Sequence, residues 1–260
     1  MDPTHNPVRP TFRTAAARIE DRPLASPAAQ LLGLFIPSFA EKRVAILNLD
    51  VEARAFCRTS PTTDPRSFAN AKTCSEFVDK LHARLDVDAS FGGYMEDRSF
   101  LWQGTYLGGS GHELHLGIDY NVPAGSPVAV PFSGEVLLCD DDIPEPWGWG
   151  PRVFIETTEA IEFERPTRYV YAFAHLAGIR VRRGQTIEAG TEIAVVGAPP
   201  TNGGWFPHLH VQKIRGEVFD HYCRVGLESL DGYGSTQSHQ QNLHDFPDPF
   251  SFLLDKNRRR

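Results

Sequence analysis

Three segments of this chain set histidines and a carboxylate at spacings that chemistry can use. In HLGID, His115 and Asp119 stand four apart. An even spacing puts both side chains on one face of a regular strand, and Gly117 between them, with Asn121 and Pro123 beyond, favours a strand running into a loop over a helix. In HLH, His208 and His210 are two apart in a β-patterned segment. They share a face while Leu209 turns into apolar packing, so a metal can take one imidazole and leave the other beside it. In YVYAFAHL, alternation sets Tyr169, Tyr171, Phe173 and His175 on one face and delivers His175 at the strand end, next to the Gly178 turn.

A single histidine among the ten in the chain is more often a packing or surface residue than a ligand. The combination carries more: two imidazoles and one carboxylate around a metal leave a fourth position for water, the open arrangement of catalytic sites, with ligand bonds of ~2.0–2.2 Å. Two nitrogen donors suit zinc better than calcium or magnesium, which want more oxygen, and no cysteine lies in these segments to close the site with thiolate. One zinc per chain activating a water is hydrolytic chemistry that needs no serine or cysteine nucleophile.

The elements that must position these residues are strands. From residue 92 to about 228 the texture is β, with PVAVPF, GEVLLC, RVFIET, RYVYAFAHL, TEIAVVG and HLHVQKI separated by glycine and proline turns. The expected architecture is mostly β, an antiparallel sandwich or barrel-like hybrid, preceded by a small mixed α/β region over 27–91. In that region Leu31, Leu32, Leu34 and Phe35 predict a short helix, VAILNLD a strand over 44–50, and Cys74, Phe77, Val78, Leu81 and Leu85 one face of an amphipathic helix. Residues 1–26 lack apolar periodicity and read as a flexible arm, and 229–260 as an extension whose PDPFSFLL docks one short helix.

Composition narrows the function classes. The 260 residues include 41% hydrophobic ones, enough for a substantial core, and carry a formal charge of -7. Nucleic-acid binding is a poor expectation, because the one basic run, Arg258 to Arg260, is a terminal tail. There is no apolar run of about 18 residues to span a bilayer and no segment resembling a secretory signal, so a cytoplasmic chain without membrane contact is expected. Cys57, Cys74, Cys139 and Cys223 are widely scattered, which predicts free buried thiols rather than disulfides.

Taken together, the motifs resemble those of the lysostaphin-type zinc metalloendopeptidase family, whose domain joins HxxxD, a later strand ending in histidine, and a final HxH. The matching stretches are HLGIDYNVPAGSPVAVPFSGEV from 115, YAFAHL from 171, RRGQTIEAGTEIAVVG from 182 and HLHVQ from 208. The resemblance spans roughly 110–215 and implies the duplicated hybrid motif, antiparallel sheets with a groove across the metal. It implies zinc ligation by His115, Asp119 and His210, with His175 and His208 as the catalytic pair. One of the pair would accept the water proton and the other bond the developing oxyanion. The tract GAPPTNGGWFPHLH is more similar to versions of the domain fused to aminotransferase and small-molecule phosphotransferase domains. The expected activity is therefore a zinc metallopeptidase or amidase acting on a peptide or small amide. The alternatives are a zinc hydrolase of a small intracellular amide or ester, and a non-catalytic binding or scaffold module on the same fold.

Around this set, Tyr94, Trp147, Trp149 and Trp205 are candidates either for walling the groove or for covering a sheet edge. His112 sits in a polar GSGHE loop and Asp140 to Asp142 in a solvated turn. Nothing in residues 1–90 supplies an obvious fourth ligand, with Asn48 and Asn70 the loosest of candidates.

Overall fold

Cys74, Phe77, Val78 and Leu81 fall on one buried face of a helix because their spacing follows its 3.6-residue turn, and Leu85 marks where that face runs out into solvent. A computed structural model describes residues 25–60, 63–142, 148–160 and 165–254 of the chain. The expected arm up to residue 24, Trp147 and the basic tail lie outside the described residues. Helix α1 spans Pro27–Phe35 and is followed by strand β1, Val44–Leu47. Helix α2 begins at once, Leu49–Thr59, because the Asn48 side chain accepts the Val51 amide and turns what the sequence predicted as the end of a strand into a helix cap. Helix α3, Ala71–Leu85, is capped in the same way by Asn70, so both asparagines serve helix ends rather than a metal.

Strand β2, Ala89–Gly92, pairs in parallel with β1. The strands that follow are short at first: β3, Leu114–His115; β4, Ile118–Asn121; and β5, Pro127–Ala129. Three long ones come next: β6, Gly134–Asp142; β7, Gly150–Glu159; and β8, Thr167–Ala174. Then come β9, Leu176–Ala177; β10, Thr186–Ile187; β11, Glu192–Val196; and β12, Leu209–Arg215. Helix α4, Gly216–Val225, strand β13, Tyr233–Gly234, and helix α5, His239–Asp245, complete the order, ahead of a short 3-10 segment over Pro249–Leu254.

Eight strands form one sheet in the order β1-β2-β4-β12-β8-β7-β6-β10, with β5-β11-β9 and β13-β3 as smaller sheets. The barrel-like closure expected from the turn spacing is not found: β1 and β10 are the two edges of an open sheet. The β1–β2 pair is parallel, so the sheet is mixed rather than antiparallel throughout. The helices α2 and α4 are further departures, in segments where no helix was expected from the sequence. Strands β1 and β2, drawn from the 27–91 region, extend the same sheet through β4.

Alternation along β8 divides its side chains between two cores. Tyr169, Tyr171 and Phe173 pack with Val128, Ile193 and Val196 of the three-stranded sheet and with Phe35 and Phe252. Val170, Ala172 and Ala174 face Phe154, Ile214 and Phe219 on the other side. Each fully buried aromatic or branched side chain contributes roughly 1.5–3 kcal/mol, so both faces of the central strands are anchored. Such strands hold their side chains in fixed registers, and the five candidate residues stand on β3 and β4, on and just before β12, and just past β8. The four cysteines are free, as expected, although only Cys74 is buried and Cys223 is exposed on α4.

Candidate metal centre

Cross-strand pairing brings the first contacts together. His210 on β12 lies opposite Asp119 on β4 and opposite Ala174 on β8. Its neighbours Leu209 and Val211 point into the first core, so His210 projects from the other face. His115 does not share a regular strand with Asp119. The chain breaks between them at Leu116–Gly117: β3 pairs with β13, while β4 joins the large sheet. A Cβ on Gly117 would stand 2.6 Å from Cε1 of His210, so glycine there lets the backbone pass against the ring.

The three side chains converge. His115 Nε2 is 3.1 Å from His210 Nδ1, which is 3.0 Å from Asp119 Oδ1, and His115 Nε2 is 3.4 Å from the same oxygen. Their partners fix the tautomers. His115 Nδ1 donates to the Gly93 carbonyl at 2.9 Å, and His210 Nε2 donates to Gln212 Oε1 at 3.1 Å, the Gln212 amide nitrogen being turned to the Asp231 carbonyl. Both facing nitrogens therefore carry lone pairs, next to a carboxylate oxygen. Three lone-pair atoms at this separation repel one another unless a cation sits between them. Donors at ~2.0–2.1 Å around a tetrahedral zinc would stand about 3.3 Å apart, which the observed separations match. His115, Asp119 and His210 are thus a donor set that fits a single metal ion, and all three are buried.

His175 reaches this face by a route the alternation does not give. In a continued β8 it would follow Phe173 into the opposite core. Instead it stands just past the strand with φ 62, in the left-handed region. That conformation costs a non-glycine residue about 1–2 kcal/mol and swings the ring over to the side of His210. Backbone bonds from its amide to the Trp149 carbonyl and from the Gly197 amide to its own carbonyl, each at 2.8 Å, hold the turn. His175 Nδ1 donates to the Asn202 carbonyl at 2.7 Å, and His208 Nδ1 donates to the Phe206 carbonyl at 2.7 Å. Each keeps its Nε2 unprotonated, the two rings lie 4.2 Å apart, and His208 Nε2 is 3.9 Å from Asp119 Oδ1.

Burial, and next the positive charge of Arg98, push His115 down to about 4 from the usual 6.5. Burial likewise lowers His208, and lowers His175 well below its ordinary value with the neighbouring His208 adding to the effect. Burial alone would raise Asp119, but His115 and Arg98 together hold it well below the usual carboxylate range. A histidine depressed in the folded state binds fewer protons than in the unfolded chain. Its stabilisation is complete above about 6.5 and is lost as pH falls toward 4. We expect the metal-free protein to lose stability on acidification across that window, His115 alone accounting for on the order of 3 kcal/mol. Thermal melting between pH 7.5 and 4.5 checks this; a flat profile would contradict it.

A cavity opens over the five residues. Trp102, Tyr106, Trp149, Trp205 and Tyr233 wall it. Two of the aromatics expected around a groove are thus in place, while Tyr94 lies elsewhere and donates its hydroxyl to the Phe246 carbonyl. His112 is exposed and bonds within its own loop, as its polar setting implied. Sequence reasoning missed Arg98, Glu96, Asp231 and Tyr233. Gln212 was within reach, because it continues the alternation of His208 and His210.

Residues 113–220 match the model described as Peptidase family M23. Among solved structures, a zinc containing peptidase from Vibrio cholerae is 30% identical over 39% of this chain and 27% of that one, with a TM-score of 0.31. The catalytic domain of a variant of the prophage-encoded M23 protein EnpA from Enterococcus faecalis is 24% identical over 40% of this chain and 69% of that one, TM-score 0.32. The catalytic domain of the antimicrobial peptidase lysostaphin from Staphylococcus simulans is 19% identical over 50% and 80%, TM-score 0.32. The chain thus spans about a quarter of the length of the Vibrio structure.

Proposed function

We propose that this chain, whose residues 113–220 match the model of peptidase family M23, is a zinc-dependent hydrolase of peptide or amide bonds. The ligands would be His115, Asp119 and His210, with His175 and His208 acting beside them. The observation that carries the reading is the convergence of His115 Nε2, Asp119 Oδ1 and His210 Nδ1 within 3.0–3.4 Å, each aimed at one point. A bound zinc supplies Lewis acidity, lowering the pKa of a coordinated water toward ~7 and polarising the scissile carbonyl.

The chain's own residues supply the rest. Gly93 and Gln212 hold the ligand rings in the tautomers that present lone pairs. His175 and His208, kept neutral by burial, each offer an unprotonated Nε2 on the cavity side, so one can accept a proton from the attacking water. A ring that has gained that proton becomes a donor to the developing oxyanion or to the leaving nitrogen. Trp102, Trp149 and Trp205 wall the cavity and would offer flat faces to amide groups.

The burial of the ligands beneath aromatic walls supports a second reading, in which the substrate is a small amide or ester. His115, Asp119 and His210 are all buried, and Trp102, Trp149 and Trp205 stand around them, the mostly apolar lining with a few polar groups that small-molecule sites share. Zinc-loaded protein assayed against short peptides, acyl amides and esters separates these. We expect cleavage of at least one class, abolished by chelation and restored by zinc. Bound zinc with no turnover of any class would sink the hydrolase reading and leave a binding module.

A further inference from the structure

Arg98 precedes the segment that matches the family, yet its side chain ends on Asp119. It is only 1% exposed. Its Nη1 donates to Asp119 Oδ2 at 2.6 Å and to the Tyr233 hydroxyl at 3.2 Å, and its Nε donates to Glu96 Oε1 at 3.3 Å. The other oxygen of the same carboxylate, Oδ1, faces His210 Nδ1 at 3.0 Å and His115 Nε2 at 3.4 Å. The two oxygens of Asp119 are therefore divided between a guanidinium and the two histidines.

Glu96 continues the chain of contacts outward. Its carboxylate accepts the Leu49 amide at 3.2 Å and the Asp50 amide at 2.9 Å, the first amides of α2, where a helix favours an anion. Backbone bonds from His115 to the Glu96 carbonyl at 2.9 Å and from Arg98 to the Glu113 carbonyl at 3.0 Å keep this stretch alongside β3. Gly93, at φ +99, makes the approach possible: a Cβ there would stand 2.4 Å from Arg98 Nη2 and 2.8 Å from His115 Nδ1.

We propose that Arg98 is a positioning residue of the metal site, holding Asp119 Oδ2 so that one oxygen alone faces the metal and tying that carboxylate through Glu96 to α2. The inference rests on the metal reading of the His115, Asp119 and His210 cluster. On this account the site includes residues outside the family-matched segment. A carboxylate that turns one oxygen to the metal leaves the fourth position open. The planar guanidinium fork spans Asp119 and Glu96 at once, which the single point charge of lysine does not. Two buried carboxylates against one guanidinium also leave a net negative cluster, which a divalent cation offsets.

The test measures zinc affinity by competition with a chromophoric chelator, and metal-free melting, on the full chain. It compares wild type with Arg98→Met, Arg98→Lys, Glu96→Gln and Tyr233→Phe. We expect Arg98→Met to bind zinc about 10–100-fold more weakly, as loss of groups that orient ligands does elsewhere. Arg98→Lys should recover part of that, and Glu96→Gln and Tyr233→Phe should lose a smaller factor. A lowered melting point with unchanged zinc affinity in Arg98→Met would make the residue a structural tie only and overturn the proposal. If Arg98→Met does not fold, wild-type affinity in both Glu96→Gln and Tyr233→Phe overturns it equally. Wild-type protein that binds no zinc would defeat the metal reading itself, a distinct result.

Discussion

Replacing His210 by alanine is expected to empty the site. Wild-type protein purified with zinc should hold about one ion per chain, as the three-residue donor set among the described residues implies, and His210→Ala close to none. The residue sits at the junction of β4, β12 and β8, where its Nδ1 completes the donor set and its Nε2 is spent on Gln212. Alanine leaves two donors, one imidazole and one carboxylate. The loss in affinity must exceed the ~10–100-fold that follows when only a supporting group is removed. Hydrolysis should fall to background with it. Metal analysis by mass spectrometry on both proteins decides the matter, and a full complement of zinc in His210→Ala would show that the ion sits elsewhere. Folding should survive, because Leu209 and Val211 on the opposite face keep the strand packed.

The second large effect separates catalysis from binding. Neither His175 nor His208 contributes a donor to the converging set, so His208→Ala and His175→Asn should keep the zinc. Each should lower kcat by about 10²–10⁴-fold, the usual worth of a positioned acid or base. Asparagine is the better replacement at 175, because φ 62 is strained for alanine and tolerated by asparagine. The pH profile then divides the roles: loss of the base removes the acid-side limb of kcat/KM, while loss of the oxyanion donor lowers the rate at every pH. Turnover within twofold of wild type in both variants would remove the pair from the mechanism.

Much of this site was legible because local rules were enough. His208 and His210 share a face on spacing alone: His210 stands on β12 and His208 just before it, and both rings come to Asp119 Oδ1, at 3.0 and 3.9 Å. His115 and Asp119 were rightly placed near one another, though for a reason the spacing does not contain: the chain changes strand at Gly117, and two different sheets present them. His175 shows the limit from the other side. Alternation assigned it to the face of Phe173, and a single left-handed residue reverses that.

By itself the sequence determined which five side chains are candidates for the site, where β structure dominates, and which helix face in 71–85 is apolar, since each depends on periods of two or 3.6 residues along the chain. Only the tertiary structure decided that the large sheet stays open, that β1 and β2 extend it, and that Arg98 and Glu96 stand behind Asp119. Those contacts join residues far apart in the chain, between groups whose burial and pairing no local pattern encodes. The free energy that holds them comes from packing and from the need to satisfy buried charge, both of which exist once the chain has folded.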